Sequence, residues 1–151
     1  MMTPHRAFAL AAIAAALMLA ASCADFTSNE NANAGLSDVL IAHPSLANDL
    51  QPVFTARCAI GGCHTPAEDR IGLILAAGYT YGSTVNVVSV HGSPLLRVNP
   101  GDHMSSFLWR MVQSDTLLHP GIPRMPLAAQ PLTANMIQNI ANWIDDGAPD
   151  N

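Results

Sequence analysis

Two cysteines, Cys58 and Cys63, stand five positions apart, with Gly61-Gly62 between them and His64 directly after the second. In a regular helix, residues three apart lie about 60° apart around the axis, and residues five apart about 140°. A helix therefore cannot carry both sulfurs on one side. Glycine takes positive φ at little cost, so the glycine pair lets the extra residues bulge outward and brings Cys63 back beside Cys58. A helix must end here. The residues upstream agree: Leu50, Val53, Phe54 and Arg57 recur at three- and four-residue spacings, so 45–58 reads as a helix whose apolar stripe runs out at the cysteines. Ser45 can cap it, and Pro52 forces a kink or marks the true first turn.

Two thiols followed at once by an imidazole form the donor set of a covalent haem site, whose usual spacing is Cys-x-x-Cys-His. The sulfurs add across the vinyl groups and the adjacent His becomes an axial iron ligand, so all three must face one side of the ring. A Cys58–Cys63 disulfide is the competing reading, since an exported chain enters an oxidising compartment. A zinc site would want a second pair of Cys or His at ligand spacing, and none is evident.

Export is expected from the first residues. Arg6 is followed by an uninterrupted apolar run over 7–21, too short for a bilayer span of about 20 residues and laid out as a signal peptide. Ala20-Ala21-Ser22 then leads into Cys23, a pattern similar to the bacterial lipoprotein signal, in which that Cys is diacylated and becomes the new N-terminus. Residues 1–22 are accordingly read as signal, and 23–35 as lipidated Cys23 and a flexible tether rich in Asn, Ala and Ser. The domain is expected over 36–151. By analogy Ala24, in place of a retaining aspartate, favours the periplasmic side of the outer membrane. All six basic residues are Arg. From Cys23 onward five arginines face eleven acids, a formal charge of −6. That balance excludes lysine-based catalysis and argues against nucleic-acid binding.

Downstream, 73–77 is a short apolar run, and 79–90 suits a short helix or an extended segment equally well. Asn99-Pro100-Gly101-Asp102 is a turn, and Ser105 or Ser106 opens a short helix through Val112. Residues 115–131 form a loop with four prolines. The last helix is capped by Thr133, carries Met136, Ile137, Ile140, Trp143 and Ile144 at helical spacing, and closes at Gly147. Of the four Met beyond the signal, Met104, Met111 and Met136 fall on helical segments and read as core packing. Met125, in Pro123-Arg124-Met125-Pro126, lies in a loop stiffened by proline and is the expected distal haem ligand, with His119 its rival. His43, His91 and His103 read as surface or hydrogen-bonded residues.

The ordered set of motifs resembles class I c-type cytochrome domains, in particular small outer-membrane cytochrome-c-like lipoproteins. It runs from 53–64 through Gly72-Leu73-Ile74-Leu75, Val98-Asn99-Pro100-Gly101-Asp102, Ser106-Phe107-Leu108, Met125-Pro126 and Leu132-Thr133 to Trp143-Ile144-Asp145-Asp146-Gly147-Ala148. The spacing between the cysteines is four residues where the family commonly has two.

The resemblance implies a mostly α fold, a cytochrome c-like helical domain around one covalently bound haem, with long Pro/Gly-rich loops. Cys58 and Cys63 would hold haem c, with His64 as proximal and Met125 as distal iron ligand. Val53, Phe54, Ile140, Trp143 and Ile144 would join the first and last helices. Leu73, Leu75, Leu95, Leu96 and Leu108 would wall the crevice. Arg97, Arg110, Arg124 and Trp109 are candidate partners for the haem propionates. The expected function is one-electron transfer by a membrane-tethered monohaem cytochrome with redox proteins as partners. A six-coordinate iron leaves no free site for catalysis. The alternative is a haem-free binding or structural lipoprotein stapled by the disulfide.

Overall fold

The computed structural model describes residues 32–68, 71–113 and 122–151. Residues 1–22, expected to be a signal, Cys23 and His119 lie outside them. The described residues form one mostly helical unit that begins at Ala32. Its β pairing is confined to isolated bridges, Val85 with Val98, Val88 with Leu96, and Leu96 with Ser106.

The first helix resolves the Pro52 question in both senses. Ser45 caps it by accepting the Asn48 N–H at 3.0 Å, and the first turn, Leu46–Leu50, is a wide π turn. Proline lacks an N–H and crowds the preceding turn, and a widened turn leaves room for its ring. Helix α1 then runs Gln51–Arg57 with proline in its first turn. Helix α2 is the short Thr80–Thr84. It is followed by extended residues that make the bridges, so 79–90 is helix and then extended chain.

The Asn99–Asp102 turn closes with the Asp102 N–H on Asn99 O at 3.0 Å, and Gly101 takes φ +86°. The Gly101 N–H reaches Ile144 O at 2.7 Å and ties this turn to the last helix. Asp102 caps a 3-10 turn, His103–Ser105, which leads into α3, Phe107–Gln113. Ser106 is fully buried just before α3, its hydroxyl donating to Asp102 O at 2.9 Å and accepting the Asn99 N–H at 2.8 Å.

Helix α4, Ala134–Asp145, is capped by Thr133 and stopped at Gly147, which has φ +94°. It packs against α3 and the Leu46–Leu50 turn. The core gathers Val53, Phe54, Ile140, Trp143 and Ile144 in one cluster, the residues expected to join the first and last helices. Leu75 and Leu108 belong to that cluster and Leu73 packs against it, whereas Leu95 and Leu96 lie among the bridges. Met111 and Met136 are buried. Met104 is not core but 56 % exposed, because its 3-10 turn lies on the surface.

One face of α4 binds chain that the sequence reading leaves at the tether boundary. Asn135, Asn139 and Asn142, at four- and three-residue spacing, share a face and hydrogen-bond an extended strap. Asn135 donates to Asp38 O at 2.9 Å, and Asn139 donates to Val39 O and accepts the Ile41 N–H, both at 2.8 Å. Asn142 donates to Ile41 O at 2.7 Å. Among the described residues, contacts reach back to Ala32 and the buried Asn33, ahead of the boundary expected at residue 36.

Candidate functional site

The bulge after α1 is a closed loop. The Cys58 N–H ends the helix on Phe54 O at 2.9 Å, and the His64 N–H returns to Cys58 O at 3.1 Å. Residues 59–63 are thus extruded between two positions that are neighbours in space. Within the loop, the Cys63 N–H closes a turn on Ile60 O at 3.0 Å, with Gly62 at φ +82°. The third residue of such a turn needs positive φ, where glycine is strain-free. Of the two glycines only Gly62 uses that freedom. The Gly62 N–H is also held by the Glu68 carboxylate.

Both thiols are free, Cys58 buried and Cys63 exposed. Burial pushes the Cys58 thiol up to about 12, partly offset by the Arg57 guanidinium, with Cys63 adding to the rise. In this state Cys58 is a small neutral core residue.

His64 is half-buried, and its ring is oriented by its own neighbourhood. Nδ1–H donates to Leu73 O at 3.2 Å, and the His64 carbonyl accepts the Leu75 N–H at 2.9 Å. Nε2 therefore carries the lone pair and makes no hydrogen bond among the described residues. A backbone carbonyl on one ring nitrogen is the arrangement that readies the other for a metal. Burial lowers the His64 pKa below the ordinary imidazole value; the Leu73 carbonyl opposes this and the Arg97 charge reinforces it. The ring is neutral at neutral pH.

Next to Leu73 in the chain, the carbonyls of Ile71 and Gly72 are bound by Arg97, a buried arginine whose guanidinium also binds Ser83 O at 2.6 Å. Two of these bonds go to the segment just before Leu73, and the third goes to helix α2. Arg110 donates to Met104 O at 2.6 Å, and Arg124 is half-buried. Trp109 differs from these: its Nε1–H is buried and finds no partner among the described residues. Buried indole N–H groups ordinarily find one. The ring stands edge-on to His103 at 4.6 Å, and His103 in turn bonds Asp145 at 2.7 Å. His43 pairs with Asp146 at 2.9 Å, and His91 is exposed.

Met125 is half-buried against the core, and its N–H donates to Met111 O at 2.8 Å. Arg57 is the residue the sequence reading placed on an apolar stripe without giving it a role. It is 6 % exposed, one terminal nitrogen binds Gln130 O, and Nε lacks a partner among the described residues. Its place on the stripe beside Val53 and Phe54 was the signal for its burial.

The donors fit a haem by three observations: a neutral imidazole with Nε2 available, two unpaired thiols joined by a closed loop, and buried N–H groups on Trp109 and Arg57 with an acceptor missing. Among the described residues, no three His, Cys, Asp or Glu side chains converge as a cage for a lone metal ion, and no helix is long and apolar enough to cross a membrane. No family model, curated protein or solved structure matches this chain.

Proposed function

We propose that this protein is a monohaem c-type cytochrome of cytochrome c-like fold, a one-electron carrier held at the periplasmic face of a bacterial membrane through lipidated Cys23. The observation that carries the reading is His64: a half-buried, neutral imidazole, directly after the second of two free thiols, with Nδ1 fixed by Leu73 O and Nε2 left over. Haem c, bound through Cys58 and Cys63, would supply the one-electron couple. The chain's own residues do the rest. The closed loop 58–64 holds the sulfurs and the imidazole in one rigid unit. Arg97 braces the carbonyls of Ile71 and Gly72, just before the Leu73 carbonyl that orients the ring. Met125 offers a thioether, which favours the reduced metal. Trp109 Nε1 offers a donor to a carboxylate, and the apolar side chains around it exclude water.

Full chain exported with a cytochrome c maturation system tests the reading by ligand. His64→Ala is expected to abolish the low-spin spectrum. Met125→Ala is expected to keep the covalent haem and lose the weak red charge-transfer band of a thioether–ferric bond. A Met125→Ala protein with an unchanged spectrum moves the distal role to another residue, His119 first. Colourless protein with Cys58 and Cys63 oxidised to a disulfide favours the haem-free lipoprotein instead.

A further inference from the structure

The loop that carries Met125 cannot hold itself. Pro123, Pro126 and Pro131 have no N–H to give, and between 122 and 131 the backbone closes on itself only through the Ala129 N–H on Pro126 O at 3.4 Å. Met125 itself is tied to α3 by its N–H on Met111 O at 2.8 Å, and the loop's downstream root is held from outside. The Ala32 N–H donates to Gln130 Oε1 at 2.9 Å, and Asn33 Nδ2 donates to Pro131 O at 3.1 Å. From the other side Arg57, the residue before Cys58, binds Gln130 O. The strap that makes the first two contacts is itself laid down on α4 by the asparagine face described above.

We propose that segment 32–41 is a retaining strap for the distal-ligand loop, so that Asn33 and Asn139 are positioning residues for Met125, with Arg57 bracing the same root from the haem-attachment side. The proposal rests on the reading of Met125 as iron ligand. A thioether is a weak ligand, and how often it leaves the metal depends on how easily its loop opens. Asn33 sets that cost by gripping the loop root directly, and Asn139 sets it by holding the strap with two hydrogen bonds. Events at the expected tether, whose last residues are the first of the strap, would thereby reach the sixth coordination position.

Imidazole titration of the ferric, full-chain holoprotein reads this directly: the iron–sulfur bond breaks, an iron–nitrogen bond forms, and no electron is transferred. Asn33→Ala and Asn139→Ala are each expected to raise imidazole affinity at least about fivefold, the worth of one lost hydrogen bond, and to speed hydrogen exchange of the Met125 amide. Ser45→Ala, which removes a helix cap of similar worth away from the loop, is expected to leave both unchanged. If Asn33→Ala does not fold, Asn135→Ala, at a more exposed rung of the strap, is expected to give a smaller shift in the same direction. Affinities within twofold of the wild type, or an equal shift in Ser45→Ala, overturn the proposal while the cytochrome reading stands. Wild-type protein without covalent haem overturns both.

Discussion

His64 and Met125, the two side chains proposed to face the iron, are held by contacts of opposite kind. Around His64 the bonds are local. Its N–H closes on Cys58 O, Nδ1–H meets a carbonyl nine residues on, and its carbonyl takes the Leu75 N–H. Around Met125 one bond is of middle range, its N–H on Met111 O, and the others reach far along the chain. The loop's root is held by Arg57 from 73 positions away and by Ala32 and Asn33 from 98 positions away. Local closure costs little chain entropy and forms as soon as the helix ends. The long-range bonds at the root of the distal loop need distant parts of the chain to meet. A rigid proximal side and a conditional distal side suit a site in which one ligand must stay and the other sets the potential.

The sharpest way to break this contrast is at Arg97. Arg97→Ala removes a buried guanidinium from three carbonyls and leaves them unpaired. A destabilisation of about 3 kcal/mol or more is expected in denaturant unfolding. Arg97→Lys should recover little of it, since an ammonium cannot fork across the same acceptors. An effect below 1 kcal/mol would mean that the proximal loop is not held as described.

Met125→Ala should behave in the reverse manner. The half-buried side chain costs about 1–2 kcal/mol of stability, while the charge-transfer band disappears and the midpoint potential falls. A large stability loss with the band retained would make Met125 a core residue.

Gly62→Ala and Gly61→Ala sharpen the proximal side further. Nothing lies within 4 Å of a Cβ at either position, but Gly62 sits at φ +82°. Gly62→Ala should cost about 1–2 kcal/mol of backbone strain, and Gly61→Ala should stay within about 0.5 kcal/mol. Equal melting shifts would contradict the turn geometry.

The smallest effect is expected at Asp102. Hydrogen bonds from the Ser105 hydroxyl and N–H hold its carboxyl below the usual value. A carboxyl depressed by folding adds stability above its unfolded pKa and loses it as the pH falls through the lowered folded pKa. Asp102→Asn should therefore flatten the acid limb of the stability profile slightly, lowering stability a little at neutral pH and leaving it unchanged at the acid end. An unaltered acid limb would show that the Ser105 bonds do not persist in solution.

The same division between near and far governs what could be read from the residues. The end of α1, the glycine turn, the Asn99–Asp102 turn and the caps of α4 each follow from a few adjacent residues, and each was legible. Thr133 and Gly147 bracket the last helix because the chemistry of helix ends is local. Two periodic stripes marked Phe54, Trp143 and Ile144, but their pairing in the core was expected only from the resemblance stated above. The strap was not legible. Asn135, Asn139 and Asn142 look like an ordinary solvated face until the chain from 38 to 41 lies across them, and Ala32-Asn33 looks like tether. Arg57 was visible on its stripe, but its partner at Gln130 was beyond reach of any local rule. Met104 misled because a helical spacing to Leu108 and Met111 hides the 3-10 turn that lifts it to the surface.

Intact-mass measurement of the wild-type chain, exported with the maturation machinery and processed at Cys23, tests the central claim most directly. The account predicts a mass increment of one haem, with colour that survives acid–acetone extraction and a c-type pyridine haemochrome spectrum. Protein of unmodified polypeptide mass at 58 and 63, colourless and with those thiols free or joined to each other, would contradict it.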